Sequence, residues 1–526
     1  MSGSGIEEYA DDAARRQAIT RRALWKLDLH VLPPLAVLWL ANFIDRSNIG
    51  NAGPAGLNAT LHLHGNQFNS ALAVFYAAYI ISEIPSNLIL KRIGPNRWLP
   101  FIVIAWGTVT TFSGFTKSYG GLVGVRLVLG LCEGGLLPGM VLYLSTLYTR
   151  HELQLRIGIF YASASLSGAF GGLLAAAILK MNGVSGQAGW RWIFFLEGMA
   201  TVVFGALATL FLPQSLETAS FLTDEERHFA LARFYGDGAS SQPPPVHVQE
   251  AEKSKMHDGE KPEEQWSEDV RPASDTTGPR GGNATMQTEE FEWREVIRGV
   301  LDIQTWLTGF AYMGILTSLY SFSLFLPTIL KNLGWTGTKT QLMSVPPYIP
   351  AAILTVIVAF LSDRYKMRMG FALVLLVPSI IGYIVALTAH TNAVRYGAVF
   401  LIAAGVYPAV PCILTILPNN HRGHYKRATS TALQLAIANC AGFVATFAYT
   451  SDQAATYYHK GHSIVLSFLC FAFTCLALNL AYCTWENKAR VEGRREGNVA
   501  KYELLKSSGK TNAPIGDRDP TFLFTY

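Results

Sequence analysis

The chain has 526 residues, half of them hydrophobic and only 15% charged, with a formal net charge of +5. A water-soluble protein of this length needs more charge than that to cover its surface. A basicity this slight calls for no nucleic-acid partner, so the composition points to a chain that meets lipid.

Residues 1–29 are polar and mixed in charge, with no cleavable leader pattern. They are expected to be a cytosolic N-terminal tail, with the first apolar block acting as its own targeting signal. Apolar blocks follow near 30–50, 69–90, 98–116, 119–144, 156–179 and 191–212. Each is about the length that crosses a hydrocarbon core of ~30 Å as a helix. Residues 213–300 are rich in Pro, Ser, Glu, Lys and Gly and include Gln242-Pro243-Pro244-Pro245. Such a stretch cannot bury a core and reads as a largely disordered cytosolic linker. Its ends look ordered. Thr223 with Glu226 forms a capping-box pattern ahead of an amphipathic run to Phe234, and 291–302 has the pattern of a surface helix. Six further blocks lie near 303–330, 341–361, 369–389, 394–417, 428–450 and 463–484. The expected fold is an all-α membrane protein of twelve transmembrane helices in two six-helix halves, 30–212 and 301–486, with a cytosolic tail at 487–526.

Basic residues orient the spans. With the N-terminus inside, the four short inner loops carry eleven Lys and Arg and the six outer loops seven, with none at 51–68. That excess places both termini and the linker in the cytosol. The inner loop after span 2 (Lys91 to Arg97) and that after span 8 (Asp363 to Arg368) share a basic pattern at the same place in each half, as parallel repeats should. Asn58-Ala59-Thr60 in the first outer loop is a glycosylation sequon, and modification at Asn58 is an expectation; Asn283-Ala284-Thr285 in the linker should stay unmodified.

The six cysteines all fall in apolar blocks without a paired spacing, so they read as small buried hydrophobes. No Gly-rich phosphate loop with a Lys-Ser/Thr is present, and no His pair at metal spacing lies in a span. No catalytic constellation, cofactor or metal is expected.

Ionisable side chains at membrane depth cost several kcal/mol unless they face partners or a wet cavity, and most spans have none. Span 1 has Asp45 and Arg46; span 4 has Arg126 and Glu133. Residues seven apart return to nearly the same helix face, so Arg126 and Glu133 look into one space about 10 Å apart along the axis, with Gly130 leaving room between. Asp45 and Arg46 point ~100° apart, so one can face a cavity while the other pairs with a neighbouring helix. A guanidinium in a central cavity suits a carboxylate, which it binds bidentately, and Arg126 is the foremost candidate. Asp45 and Glu133 are the natural proton carriers. The plainer alternative is a structural charge cluster locking the two helices together. Tyr79, Tyr161, Tyr312 and Asn439 are further candidates for touching a substrate, and each also suits packing. Glu197, after Trp190-Arg191-Trp192, reads as a structural partner for a basic residue.

These motifs together resemble the major facilitator superfamily over residues 20–490, and more narrowly the anion:cation symporters of the fungal allantoate permease branch, which includes nicotinate and other carboxylate permeases. The likeness is carried by Asp45-Arg46-Ser-Asn48 in span 1, Arg126-x-x-x-Gly130-x-x-Glu133-Gly-Gly-x-x-Pro138-Gly in span 4, Arg150-x-Glu152-x-Gln-x-Arg156 before span 5, Trp190-Arg191-Trp192 to Glu197-Gly at span 6, and Phe211-Leu-Pro213 beyond it. The resemblance implies alternating access around a midplane site, with Asp45 and Glu133 in proton coupling and Arg46 and Arg126 in anion binding. It also implies gating roles for Arg92, Asp363 and Arg364, although Lys91 stands where the first-half motif usually has an acid. The expected activity is secondary transport of a small organic anion with protons, by a monomer in a plasma membrane. An exporter of an acidic metabolite and a non-transporting nutrient receptor are the alternatives.

Overall fold

The computed structural model describes residues 3–148, 150–236 and 292–526. Twelve helical passages run through them, six on each side of the linker, which lies outside the described residues except for its two ends. They are α1 (Gly3–Ala52), α2 (Gln67–Ile93), α3 (Pro95–Ser113), α4 (Tyr119–Glu133, resuming as Leu136–Leu147), α5 (Arg150–Ile178) and α6 (Gly189–Phe211). The second half has α7 (Ile303–Asn332), α8 (Thr338–Ser344, resuming as Tyr348–Tyr365), α9 (Arg368–Thr388), α10 (Asn392–Leu414, then Ile416–Asn420), α11 (His424–Asn439, then Ala441–Ala448) and α12 (His459–Val491).

Ten of the twelve are long and apolar enough to cross a bilayer on composition alone. The other two, α3 and α5, begin with polar residues at Pro95-Asn96-Arg97 and Arg150-His151-Glu152. Each lies between two crossing helices on short connections, so it too must cross. Leu210, Phe101, Phe112, Val374 and Phe360 lie exposed on the outer surface, as side chains that meet acyl chains do.

Local chemistry sets the helix breaks. α4 interrupts at Gly134-Gly135, where a Cβ would meet Ser82 Oγ at 2.1 Å and Ser86 Oγ at 1.7 Å. These glycines let α4 lie directly on α2. Gly130 serves the same contact, its missing Cβ standing 2.3 Å from the Phe75 carbonyl. The space it leaves is filled by a neighbouring helix. The capping box forms: the Thr223 amide donates to Glu226 Oε2 (3.0 Å) and the Glu226 amide to Thr223 Oγ1 (3.3 Å), opening the helix Asp224–Gly236. Glu226 also takes a 2.7 Å bond from Lys26 of α1. The amphipathic segment at the linker's far end is the helix Trp293–Val300, packed on α11 through Gly299, whose Cβ position lies 3.0 Å from the Lys426 carbonyl.

Beyond α12 the C-terminal segment folds back on its own half. Asp517 pairs with Lys426 (2.7 Å) and Arg298 (3.2 Å), and Asn420 accepts from the Thr525 amide (2.8 Å). Lys426 also reaches Asp302, the residue capping α7. Burial would raise the Asp302 carboxyl, but His421 and Lys426 beside it hold it below the ordinary carboxylate range. All six cysteines are free thiols. Cys412, Cys475 and Cys483 are buried, but Cys440 and Cys470 are exposed on helix surfaces and so do not fill a core as expected.

The halves meet most tightly at the end away from the termini. There Asn69 of α2 donates to the carbonyls of Thr446 and Tyr449 after α11, and Gln341 of α8 donates to the Asn51 carbonyl. Three glycines permit the approach. A Cβ on Gly50 would meet the Leu324 carbonyl at 2.3 Å, one on Gly168 the Tyr348 ring at 2.1 Å, and one on Gly442 the Tyr76 ring at 2.2 Å. At Gly50 the obstacle is backbone, which cannot swing aside. Gly50→Ala is therefore expected to wedge α1 from α7, shifting the population about tenfold away from this closed arrangement by the ~1–3 kcal/mol of an overpacked contact. Labelling of a cysteine placed at Gln341 by an impermeant thiol reagent, in a cysteine-free background, should rise accordingly. Unchanged labelling would show that the contact does not hold the halves together.

Candidate functional site

Below that contact, α1, α2, α4, α5, α7, α10 and α11 line a cavity between the halves. Its charged wall is Arg46, and Tyr79, Tyr312, Tyr320, Tyr407 and Asn439 stand around it. Helix geometry explains the choice. Adjacent on α1, Asp45 and Arg46 must diverge, and it is Arg46 that enters the cavity.

Arg46 is only 7% exposed, yet it is well supported. Its Nε donates to Glu133 Oε2 at 3.4 Å and its Nη1 to the Tyr320 hydroxyl at 3.3 Å. The guanidinium carbon lies 4.7 Å from the Tyr79 ring centroid and 5.6 Å from that of Phe75, a stacking environment that favours a cation. Asn42 donates a second bond to Glu133 Oε2, at 2.9 Å. The polar chain continues across the interface. Tyr320 donates to Asn439 Oδ1 at 3.4 Å, and Asn439 Nδ2 donates to Glu83 Oε2 at 3.3 Å. One chain of contacts thus runs from α4 through α1, α7 and α11 back to α2, joining both halves at mid-depth. Among its buried atoms without a hydrogen-bond partner are Arg46 Nη2 and Glu133 Oε1. A donor and an acceptor left over beside a cavity are what an anion and a proton respectively would use.

The other candidates divide. Asp45 turns away from the cavity, taking a 2.5 Å bond from the Trp106 indole of α3 and a 3.4 Å bond from Asn48. Arg126, expected in the cavity, is instead buried behind its wall, with Glu133, Asp45 and Tyr76 as neighbours. The leading guanidinium position therefore passes from Arg126 to Arg46. Tyr79, Tyr312 and Asn439 line the cavity. Tyr161 lies on α5, but its side chain is outside the described residues. Among the described residues Glu197 has no basic partner, contrary to expectation: both its oxygens are buried without a hydrogen bond.

At the terminus end, Arg92 and Arg364 are exposed. Asp363 pairs with Arg368 (2.9 Å), which also donates to the Thr415 carbonyl of α10. The pair joins α8, α9 and α10 through Arg368, not Arg364. Asn58 is exposed in the short helix Asn58–Thr60. Two residues escaped the sequence reading, Glu83 and Tyr407. Glu83 sits inside span 2, so the cost argument that singles out Asp45 would have found it. Tyr407 carries no such signal.

A two-half helical bundle with an arginine-lined cavity between the halves defines a polytopic membrane protein. The chain belongs to the Major Facilitator Superfamily, whose family model matches residues 35–447. It is a multi-pass membrane transporter of that superfamily, and no catalytic activity is indicated. It is 36% identical over 500 residues to an uncharacterized transporter of Schizosaccharomyces pombe, covering 95% of this chain and 89% of the relative. It is 28% identical over 506 residues to the high-affinity nicotinic acid transporter of Saccharomyces cerevisiae, covering 96% and 85%. Among solved structures it resembles a D-xylose-proton symporter (TM-score 0.59, 13% identity, 87% of this chain and 97% of that one). It also resembles a bacterial homologue of the human lysosomal transporter Spinster in an inward-facing, unoccupied conformation (TM-score 0.58, 16% identity, 85% and 95%). These two likenesses are of fold.

Proposed function

We propose that the chain is a proton-coupled uptake carrier for a small carboxylate, of the anion:cation symporter branch, with an aromatic or vitamin-like acid as the substrate class. The observation that carries this reading is Arg46, a cavity-lining guanidinium with one unpartnered donor, stacked among aromatic rings and paired with Glu133. A carboxylate arriving at Arg46 competes with Glu133 for the cation. Glu133, left buried without its counter-charge, then takes a proton. Anion and proton thereby travel together. Tyr79, Tyr312, Tyr320 and Asn439 supply ring faces and hydrogen bonds for the rest of the substrate. Arg126 adds positive potential from behind the wall. The similarity to a relative named as a nicotinic acid transporter supports the aromatic-acid class.

In this reading both termini are cytosolic, the membrane is the plasma membrane, and the protein works as a monomer. The end sealed by Asn69, Gly50 and Gln341 is then the outer one. Arg92, Asp363 and Arg364 act at the inner loops, and Asn58 faces the side where glycans are added. Uptake and counterflow of labelled carboxylates in vesicles test the proposal. A substrate should accumulate under an inward acid gradient and exchange without one. Binding without counterflow would identify a receptor, and failure of every carboxylate in a thermal-shift screen would overturn the substrate class.

A further inference from the structure

The acids behind the cavity have no place in that account. On α6, Trp190, Phe194, Glu197 and Thr201 form one buried face turned to α1 and α3. Among the described residues neither oxygen of the Glu197 carboxyl has a hydrogen-bond partner and no cation stands beside it. Its titratable neighbour is Asp45 of α1, and Asn48, one turn along α1 from Asp45, stands beside both acids. From α3 comes the neutral Trp106 indole, which is taken by Asp45. No charged group of α5 faces Glu197 among the described residues. Arg46 has turned to the cavity, and Arg126 neighbours Asp45 but not Glu197.

Charge balance makes the same point. At mid-depth in this half the buried acids are Asp45, Glu83, Glu133 and Glu197, and the buried cations are Arg46 and Arg126. Four carboxylates against two guanidinium groups in an apolar medium would leave two negative charges uncompensated. Two carboxyls in a dry site whose one neighbouring cation, Arg126, is shared with Glu133 do not both ionise. Glu197, with neither arginine beside it, is where a proton costs least to keep.

We infer that Asp45 and Glu197 form a second proton-holding pair, set behind α1 from the anion cavity, and that proton coupling depends on Glu197 as well as on Glu133. The inference rests on the symport reading above. Asp45 is the link, since it neighbours both Glu133 and Glu197. The step is a bare proton transfer, in which an O–H bond on one carboxyl breaks as one forms on the next carboxylate. No other atom changes.

Glu197→Gln tests it on the reconstituted full-length protein. With its acidic neighbour gone, Asp45 has no partner to share a proton with, and the upper pH limit of uptake should move to the acid side by about one unit or more. Glu197→Asp should restore the limit. A purely structural role predicts a slower carrier with an unmoved pH limit, and that result would overturn the inference. Infrared spectroscopy supplies an arm that needs no transport. The carbonyl stretch of a protonated buried carboxyl should be present in the wild type and lost in Glu197→Gln; its retention would also overturn the pair. If wild-type uptake proves independent of protons while that band is still lost in the variant, the symport reading fails and the shared proton stands.

Discussion

Arg46→Ala should weaken carboxylate binding by about two to three orders of magnitude, the loss seen when a buried charge pair is broken from one side, ~3–5 kcal/mol. Two effects add. The anion loses the donors Nη1 and Nη2, and Glu133 keeps only the Asn42 amide in a fully buried position. Arg46→Lys should recover part of the affinity, because an ammonium restores the charge but neither the fork nor the stack on Tyr79. Arg126→Ala is the control that separates the two guanidinium groups. Lying behind the wall, Arg126 should act through the field alone and cost far less. Thermal-shift titration of the purified protein with a transported carboxylate reads all three. If Arg126→Ala proves the more damaging, the cavity-facing assignment of Arg46 is wrong.

Glu133→Gln should separate exchange from concentrative uptake. The amide keeps the size of the carboxyl and can still accept from Asn42 and Arg46, so the cavity survives. It cannot gain or lose a proton, so the carrier should shuttle only with anion bound. Counterflow should therefore persist near the wild-type rate while accumulation under an acid gradient falls to the equilibrium level. The variant also leaves Arg46 without its counter-charge, so anion affinity should hold or rise. Full concentrative uptake by Glu133→Gln would remove Glu133 from the coupling mechanism and leave the Asp45–Glu197 pair as its seat.

The sequence carried the number and order of the helices because lipid imposes a length and a hydropathy that each crossing must satisfy by itself. The capping box at Thr223 and Glu226 was legible for the same reason, since its partners lie three residues apart. Charge at depth was legible as a cost, and it picked out Asp45, Arg46, Arg126 and Glu133. What a single helix cannot encode is which neighbour each side chain meets. Asp45 and Arg46 were known to diverge by ~100°, but only the packing of α3 and α6 on one side and α7 on the other decided which entered the cavity.

The same limit explains Arg126 and Glu197. Seven-residue spacing put Arg126 and Glu133 on one face, and that face proved to be shared between the cavity wall and the helix-to-helix contact made by Gly130. A buried carboxylate usually has a basic partner, and only the three-dimensional neighbourhood reveals that Glu197 has none among the described residues. Sequence alone thus determined that twelve apolar passages arrange as six and six and that ionisable groups lie within them, since solvation by lipid acts on each segment separately. The tertiary structure decided that Arg46, not Arg126, meets the cavity, that Asn439 and Glu83 close a polar chain across the halves, and which end is sealed. Those outcomes depend on contacts between segments up to hundreds of residues apart, set by how glycine-lined helices fit together.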